Sequence, residues 1–533
     1  MSGSVSVLAA SVHSVAIDPV NAPSVSYRAL SPMLILFGAG AVAVLIEAFV
    51  PRRLRQPVQV VFTLLAMLAA LVAVIVELAR VVDGRTEPKV TAASAVAVDG
   101  PALFLTGSII VLGIVSVLLM AERSLEPGGS FVAHAAIVAG TESDRRLASS
   151  GNSQTEVFPL ALFSFAGMSL FVSANDLLTM FVALEVLSLP LYLLCALARR
   201  RRLLSQEASL KYFMLGAFAS AFFIYGVALL YGYAGSVQLS AIHDAVVTSS
   251  ASDALLLLGL AILLVGLLFK AGVVPFHSWT PDVYQGAPTP ITALMAACTK
   301  VAAFGAILRV LYVAFQSTKW DWRPLLIGIA MLTMIVGAVL AVTQTDIKRL
   351  LAYSSVANAG FILTGVLALT RSGLSSAMFY LVGYGFMTIG AFAVVMLVRD
   401  ADGEATHLSR WAGLGRRSPL FAGIFAFFLL AFAGIPLTSG FTIKFAVFSA
   451  AVDGHAVSLV IVGVVASMIL AFPYLRVIVL MYLSDPVEDG PTVSVPGGYT
   501  AAALTVGVLA TLLLGVVPSQ VLELANKAAE FVR

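Results

Sequence analysis

Five ionisable side chains interrupt stretches that are otherwise apolar. They are Glu185 in "TMFVALEVLSLPLYLL", Lys211 in "SLKYFMLGAF", Lys270 in "LLFKAGVVPF", Lys300 in "LMAACTKVAAFG" and Lys444 in "SGFTIKFAVF". A charge at the centre of a lone helix in lipid costs roughly 2.5–3.5 kcal/mol on insertion scales, so such residues are rare unless something pairs or uses them. The plain alternative for a lysine is snorkelling, with its stem in lipid and its ammonium among the headgroups. Lys211 sits close enough to a segment end for either role, and Lys444 is intermediate. Lys270 and Lys300 stand too far from both ends of their segments, and Glu185 is central and short, so these three point inward. A lysine in an apolar setting holds or releases a proton according to whether a carboxylate stands beside it. One glutamate among several lysines is therefore the pattern of a switchable proton relay, with Glu185 paired to Lys270 or Lys211.

Other polar residues carry weaker signals. His277 follows Pro275 and could pass protons between neighbouring segments, although a capping or packing histidine fits equally well. Tyr353, Ser354, Ser355 and Asn358 give one segment a polar side that could order water, or simply hydrogen-bond between helices. Asp282, Tyr284 and Gln285 in "TPDVYQGAP" would shape the chain's re-entry, and Glu47 is either an intramembrane acid or a helix-end residue. Arg309 and Arg476 receive no role. No Gly-rich phosphate loop, metal-spaced cluster or nucleophilic triad is present, so no metal or bound cofactor is expected in this chain. Cys195 and Cys298 lie in separate apolar segments and read as small core residues.

The elements that must position these residues follow from composition. The chain has 533 residues, 60% hydrophobic and 11% charged, too little polar surface for a water-soluble globule. Its apolar stretches are about 20 to 25 residues long, the length that spans a hydrocarbon core of about 30 Å, and they lack the alternation of a membrane barrel. An all-α integral membrane protein of about fourteen transmembrane helices is expected. The segments are 31–50, 58–80, 98–121, 156–174, 176–198, 205–232, 252–285, 288–316, 322–344, 345–371, 373–399, 418–452, 455–483 and 498–524. Residues 1–30 form a polar lead-in without the pattern of a cleaved signal peptide, and residues 122–155 form a long polar loop.

The seventh and twelfth segments are too long for a straight span and carry Pro275 and Pro436 near their centres. Proline removes a backbone donor and clashes with the carbonyl four residues back, so both are expected to be broken helices. The breaks are five segments apart, which suggests two five-helix repeats, 156–316 and 322–483. An odd number of crossings inverts the second copy, a transporter design. Basic residues gather in alternate loops, at Arg52, Arg53 and Arg55, at Arg199 to Arg202, and at Arg410, Arg416 and Arg417. By the positive-inside rule those loops, with 122–155, are cytoplasmic and both termini lie outside.

The stretch "LLFKAGVVPFHSWTPDVYQGAPTP" resembles the antiporter-like subunits of respiratory complex I and of multisubunit cation/proton antiporters. "FVALEVLSLPLYLL", "DIKRLLAYSSVANAGF" and "AGIPLTSGFTIKF" extend the resemblance over most of residues 156 to 480. Within that family, "LKYFMLGAFASAFFIYG", the lysine at 444 and the short C-terminus are most similar to the N-type (subunit 2) members. The resemblance implies that Glu185 and Lys270 form the switchable pair, with Lys211 beside the glutamate. Lys300 would continue a central polar axis, and Lys444 would serve a second half-channel. It departs at Asn358, where many relatives carry histidine, and at Ile443, where glycine is common. It further implies proton translocation driven by NADH:quinone oxidoreduction, with NADH, FMN, iron–sulfur clusters and quinone in partner subunits. M-type and K-type membrane subunits would be neighbours, lipid the surroundings, and nucleic acid no partner. A sodium/proton antiporter subunit, an ion-pumping hydrogenase subunit and a non-pumping scaffold are the alternatives.

Overall fold

The computed structural model describes residues 25–126, 128–132, 141–149, 153–248, 253–401, 403–487 and 489–532. Most of the lead-in, to residue 24, and most of the apolar patch "FVAHAAIVAG" lie outside the described residues. Each apolar segment is helical. In chain order these are α1 (Ser31–Phe49), α2 (Arg52–Val82), α3 (Gly100–Ala121), α4 (Val157–Ser173), α5 (Leu177–Cys195), α6 (Arg202–Ala234), α7 (Asp253–Ala271) and α8 (Trp279–Gly286). There follow α9 (Thr289–Ala314), α10 (Lys319–Val342), α11 (Ile347–Leu367), α12 (Arg371–Leu397), α13 (Pro419–Ala433), α14 (Ser439–Asp453), α15 (Val457–Leu483), α16 (Gly498–Val516) and α17 (Ser519–Lys527). Twelve are long and apolar enough to cross a membrane. The other two segments are the 17-residue α4 and the pair α13 and α14, split in two as its proline requires.

Helices α3, α5 and α11 begin at aspartate side chains that accept from the first turn. Asp99 accepts from the amide of Ala102 at 3.0 Å, Asp176 from Thr179 at 2.7 Å, and Asp346 from Lys348 and Arg349 at 2.9 and 3.1 Å. Each satisfies donors that the first helical turn leaves without partners. The expected breaks occur at both prolines. Between α7 and α8, Gly272 adopts a φ of +72° that L-residues rarely take, and between α13 and α14, Gly434 adopts +93°.

Helices α9, α11 and α12 are almost wholly buried, whereas α1, α2, α6 and α15 expose apolar side chains such as Leu65, Phe218 and Ile461. In lipid there is no hydrophobic drive between helices, so close approach at small residues does the packing. A Cβ on Gly167 of α4 would stand 2.5 Å from the amide nitrogen of Leu187 on α5. A Cβ on Gly337 of α10 would stand 2.5 Å from that of Ala357 on α11.

These two contacts share an offset of 170 residues, and so do the caps Asp176 and Asp346. Both caps also sit in the same small bridge. Leu177 N donates to Val237 O at 3.0 Å and Leu239 N to Asn175 O at 3.0 Å; Ile347 N donates to Thr406 O and Leu408 N to Thr345 O, both at 2.7 Å. Five crossings separate one bridge from the other, so they lie on opposite sides of the bilayer. The second unit is therefore the first turned over, in a register that sequence similarity did not reveal.

A buried ion pair fastens the periphery. Arg309 near the end of α9 donates to Asp99 at 2.7 Å with both side chains fully buried, and the amide of Val532 donates to the other Asp99 oxygen at 3.1 Å. Removing one partner of such a pair costs about 3–5 kcal/mol because the other charge is stranded. Arg476 donates to the carbonyls of Val342 and Gln344 at the end of α10, a site that favours cations. At the arginine-rich edge, strand β1 (Val398–Asp400) pairs with β2 (Gly403–Glu404) and β3 (Thr492–Val493). The described start of the long loop is pinned, with Arg199 donating to the carbonyls of Gly129 at 2.7 Å and Phe131 at 2.9 Å.

Candidate functional site

Lys270 occupies the last turn of α7, immediately before the first break, and is 4% exposed. Its ammonium donates to Ser188 Oγ on α5 at 2.7 Å and to Tyr212 OH on α6 at 3.0 Å. The break helps to hold that arrangement. Trp279 at the start of α8 stacks on the Tyr212 ring at 4.7 Å, and its indole donates to the carbonyl of Phe269, which the interrupted helix leaves free, at 2.9 Å.

Lys300 lies on α9 directly after a π-helical stretch, Met295–Thr299, and is 5% exposed. Such widened turns recur at functional sites. The ammonium donates to the backbone carbonyl of Ser355 on α11 at 2.8 Å and lies 5.7 Å from the Tyr384 ring centroid. Lys444, on α14 just after the second break, is 7% exposed. It donates to the carbonyls of Phe432 at 2.9 Å and Ala433 at 3.3 Å, the last residues of α13, and lies 5.0 Å from the Phe361 ring centroid. Among the described residues, no carboxylate oxygen comes within 4.0 Å of any of these three ammonium groups.

The expected pairing is not a direct ion pair in this structure. Glu185 sits on α5 one turn before Ser188 and keeps a buried Oε1 without a hydrogen-bond partner, but it forms no ion pair with Lys270 or Lys211. Lys211 is drawn elsewhere, to Glu207 one helical turn away at 2.7 Å and to Asp282 on α8 at 2.8 Å. Asp282 is shared with Arg349 of α11 at 2.7 Å, so it is a charge centre between the two units as well as part of the re-entry. Glu47 belongs to a helix end, accepting from Arg55 at 3.0 Å and Thr155 at 2.7 Å.

His277 lies in the first break, its ring 6.4 Å from that of Tyr353, and its Nδ1 is buried without a partner. On α11, Asn358 donates to Ser354 O at 2.8 Å and accepts from Tyr380 OH at 2.5 Å, while Ser354 Oγ hydrogen-bonds Tyr474 OH on α15. The Tyr474 ring is 6.0 Å from that of Phe432, whose carbonyl holds Lys444. Polar groups therefore line the interval between the acceptor of Lys300 and the acceptor of Lys444. Asn358 cannot titrate, but it accepts from the Tyr380 hydroxyl there. At the arginine-rich edge, buried Lys348 donates to Ala287 O and Thr289 Oγ1 at 3.0 Å each and lies 3.5 Å from Glu404, beside a small cavity of about 40 Å³ at the start of α9.

Sequence reasoning missed Ser188 and Tyr212 as partners of Lys270, and also Lys348, Arg349, Tyr384 and Tyr474. Ser188 was findable, since it lies one turn from Glu185 on the same helix face. The tyrosines carry no signal in a chain with 14 of them. Among the described residues no group of three or more His, Cys, Asp or Glu stands together as metal ligands, and Cys195 and Cys298 are buried free thiols. Chemically, the arrangement offers three buried lysine side chains, each donating to hydroxyl or carbonyl oxygens.

Comparison with known proteins places this geometry in a family. Residues 174–470 match the family model described as NADH:quinone oxidoreductase/Mrp antiporter, TM. A relative from Salinispora arenicola, NADH-quinone oxidoreductase subunit N, is 64% identical over 518 residues, covering 96% of this chain and 99% of its own. A chain of respiratory complex I from Thermus thermophilus with bound aureothin superposes with a TM-score of 0.74 at 33% identity, over 93% of this chain and 99% of that one. A chain of the Mrp complex from Dietzia sp. DQ12-45-1b shares the fold, with a TM-score of 0.80 at 23% identity over 95% and 97%. The chain belongs to the NADH:quinone oxidoreductase/Mrp antiporter family of membrane proteins, with the N subunits of NADH-quinone oxidoreductase among its relatives.

Proposed function

We propose that this chain is the N-type proton-translocating membrane subunit of a bacterial NADH:quinone oxidoreductase. Electrons pass from NADH to quinone in partner subunits that carry FMN and iron–sulfur clusters, and this chain contributes transport. A proton enters from the cytoplasmic side, moves by way of Lys270 and Lys300, and leaves to the outside by way of Lys444. Glu185, Lys211 and Asp282 bias the charge around Lys270, while His277, Tyr353 and Asn358 flank the path. M-type and K-type membrane subunits are its neighbours, and both termini face outward.

The observation that carries this reading is the set of three nearly buried lysines on packed helices, each hydrogen-bonded to neutral acceptors. A lysine bound tightly to a carboxylate would keep its proton, whereas one held by hydroxyls or carbonyls can surrender it. The test is mass spectrometry and cofactor analysis of the assembly purified from native membrane in mild detergent. Copurifying flavin and iron–sulfur subunits are expected. A set of small membrane subunits without a redox partner, together with sodium-dependent transport, would contradict the reading and leave a cation/proton antiporter.

A further inference from the structure

At the arginine-rich edge, a cavity of about 430 Å³ opens between the end of α1, the start of α2, the end of α3 and the start of α4. Four arginines line it, Arg52, Arg53, Arg55 and Arg123, against two carboxylates, Glu47 and Glu156. Glu47 is already engaged by Arg55, Gln59 and Thr155. The side chains of Arg52 and Arg53 have no acceptor among the described residues, and that of Arg123 reaches only Gln56, at 3.4 Å. Elsewhere on this edge basic side chains are answered by carboxylates: Arg410 by Asp400 at 2.7 Å, Arg349 by Asp282 at 2.7 Å, and Arg416 by Asp485 at 3.0 Å.

Against the one remaining carboxylate, Glu156, which accepts from Gln154, three guanidinium groups leave the cavity cationic and call for an anion, and their planar forks suit the two free oxygens of a phosphate diester. The surface beside them says which kind of phosphate. Leu54, Val61, Leu65, Leu68 and Val72 recur at helical spacing along α2 and are all exposed, so an apolar stripe runs from the arginines toward the bilayer centre. A free phosphate would leave that stripe unused, while acyl chains would cover it. We infer that this edge binds the phosphodiester headgroup of an anionic phospholipid, with Arg52, Arg53 and Arg123 on the phosphate and the acyl chains along α2. The site lies apart from the lysine axis and does not depend on it.

The test uses the intact membrane assembly, delipidated and returned to nanodiscs of phosphatidylcholine with graded phosphatidylglycerol, with retained lipid read by native mass spectrometry. Wild type is expected to retain phosphatidylglycerol over phosphatidylcholine. Each of Arg52→Ala, Arg53→Ala and Arg123→Ala is expected to weaken retention by about fivefold, and Arg410→Ala, an equal loss of charge at an ion-paired site, to leave it unchanged. Equal retention of the two lipids would overturn the proposal. So would an equal effect of Arg410→Ala, displacement by inorganic phosphate alone, or an absence of lipid because a neighbouring subunit covers the arginines.

Discussion

The two broken helices share a construction and differ in wiring. At the first break the lysine precedes the interruption and its ammonium binds side-chain hydroxyls from two other helices, Ser188 and Tyr212. At the second the lysine follows the interruption and closes the carbonyls that the interruption frees, at Phe432 and Ala433. Lys270 is thus held by groups that can themselves pass a proton, whereas Lys444 doubles as a cap of its own broken helix. The register of the repeats sharpens the contrast. The counterpart of Glu185, at the offset of 170 residues, is Ser355, so the second unit has no carboxylate where the first has one. The first unit thus places a carboxylate near its lysine, where the second has only hydroxyls and carbonyls.

The largest effect is expected from Lys270→Ala, which should lower proton translocation by about a hundredfold while NADH-linked electron transfer to quinone and assembly persist. Proteoliposome pumping alongside complex yield checks this. At the second break, Lys444→Arg should preserve assembly because a guanidinium can still donate to both carbonyls, yet slow transport because arginine does not release its proton. Lys444→Ala should lose transport and also destabilise the complex by about 1–3 kcal/mol, since a buried carbonyl is left without a donor. A similar stability for both variants, read by thermal unfolding, would remove the distinction between the breaks.

A smaller contrast lies in the Glu185 position. Glu185→Gln should slow transport by about tenfold, while Ser355→Ala, its counterpart, should change the rate by less than about twofold; equal effects would mean that the units are wired alike. The smallest effect concerns Glu122, beyond the end of α3. Burial opposes its charge, but hydrogen bonds from the amides and hydroxyls of Ser124 and Thr500 outweigh that and hold its carboxyl below the ordinary range. A lowered folded value gives stability that is complete above the ordinary glutamate range and is lost as the pH falls through the lowered value. Glu122→Gln should therefore cost about 1 kcal/mol near neutral pH, with the gap to wild type closing in acid.

Much of this was legible before any coordinates. Segment length and composition predicted the helices, and Pro275 and Pro436 predicted the breaks, because the cost of a mid-helix proline is local and context-free. Isolated lysines in apolar runs marked Lys270, Lys300 and Lys444 because a buried charge is expensive anywhere. Pairing was not legible. Besides Glu207 one turn away, Lys211 proved to pair with Asp282, 71 residues away, because the break swings α8 against α6. The Asp99–Arg309 pair spans 210 residues and brings together helices whose adjacency periodicity does not encode. The repeat register was hidden for a related reason. It is kept by two aspartate caps and two glycine contacts, too few positions to register as sequence similarity.

The most direct measurement is the number of protons ejected per NADH oxidised by complexes carrying Lys300→Ala, assembled to wild-type yield and reconstituted in vesicles. Lys300 is the lysine between the two breaks, so a continuous path requires it. A fall in the ratio with NADH oxidation retained is the expected result. An unchanged ratio in fully assembled complexes would contradict a path through Lys270, Lys300 and Lys444.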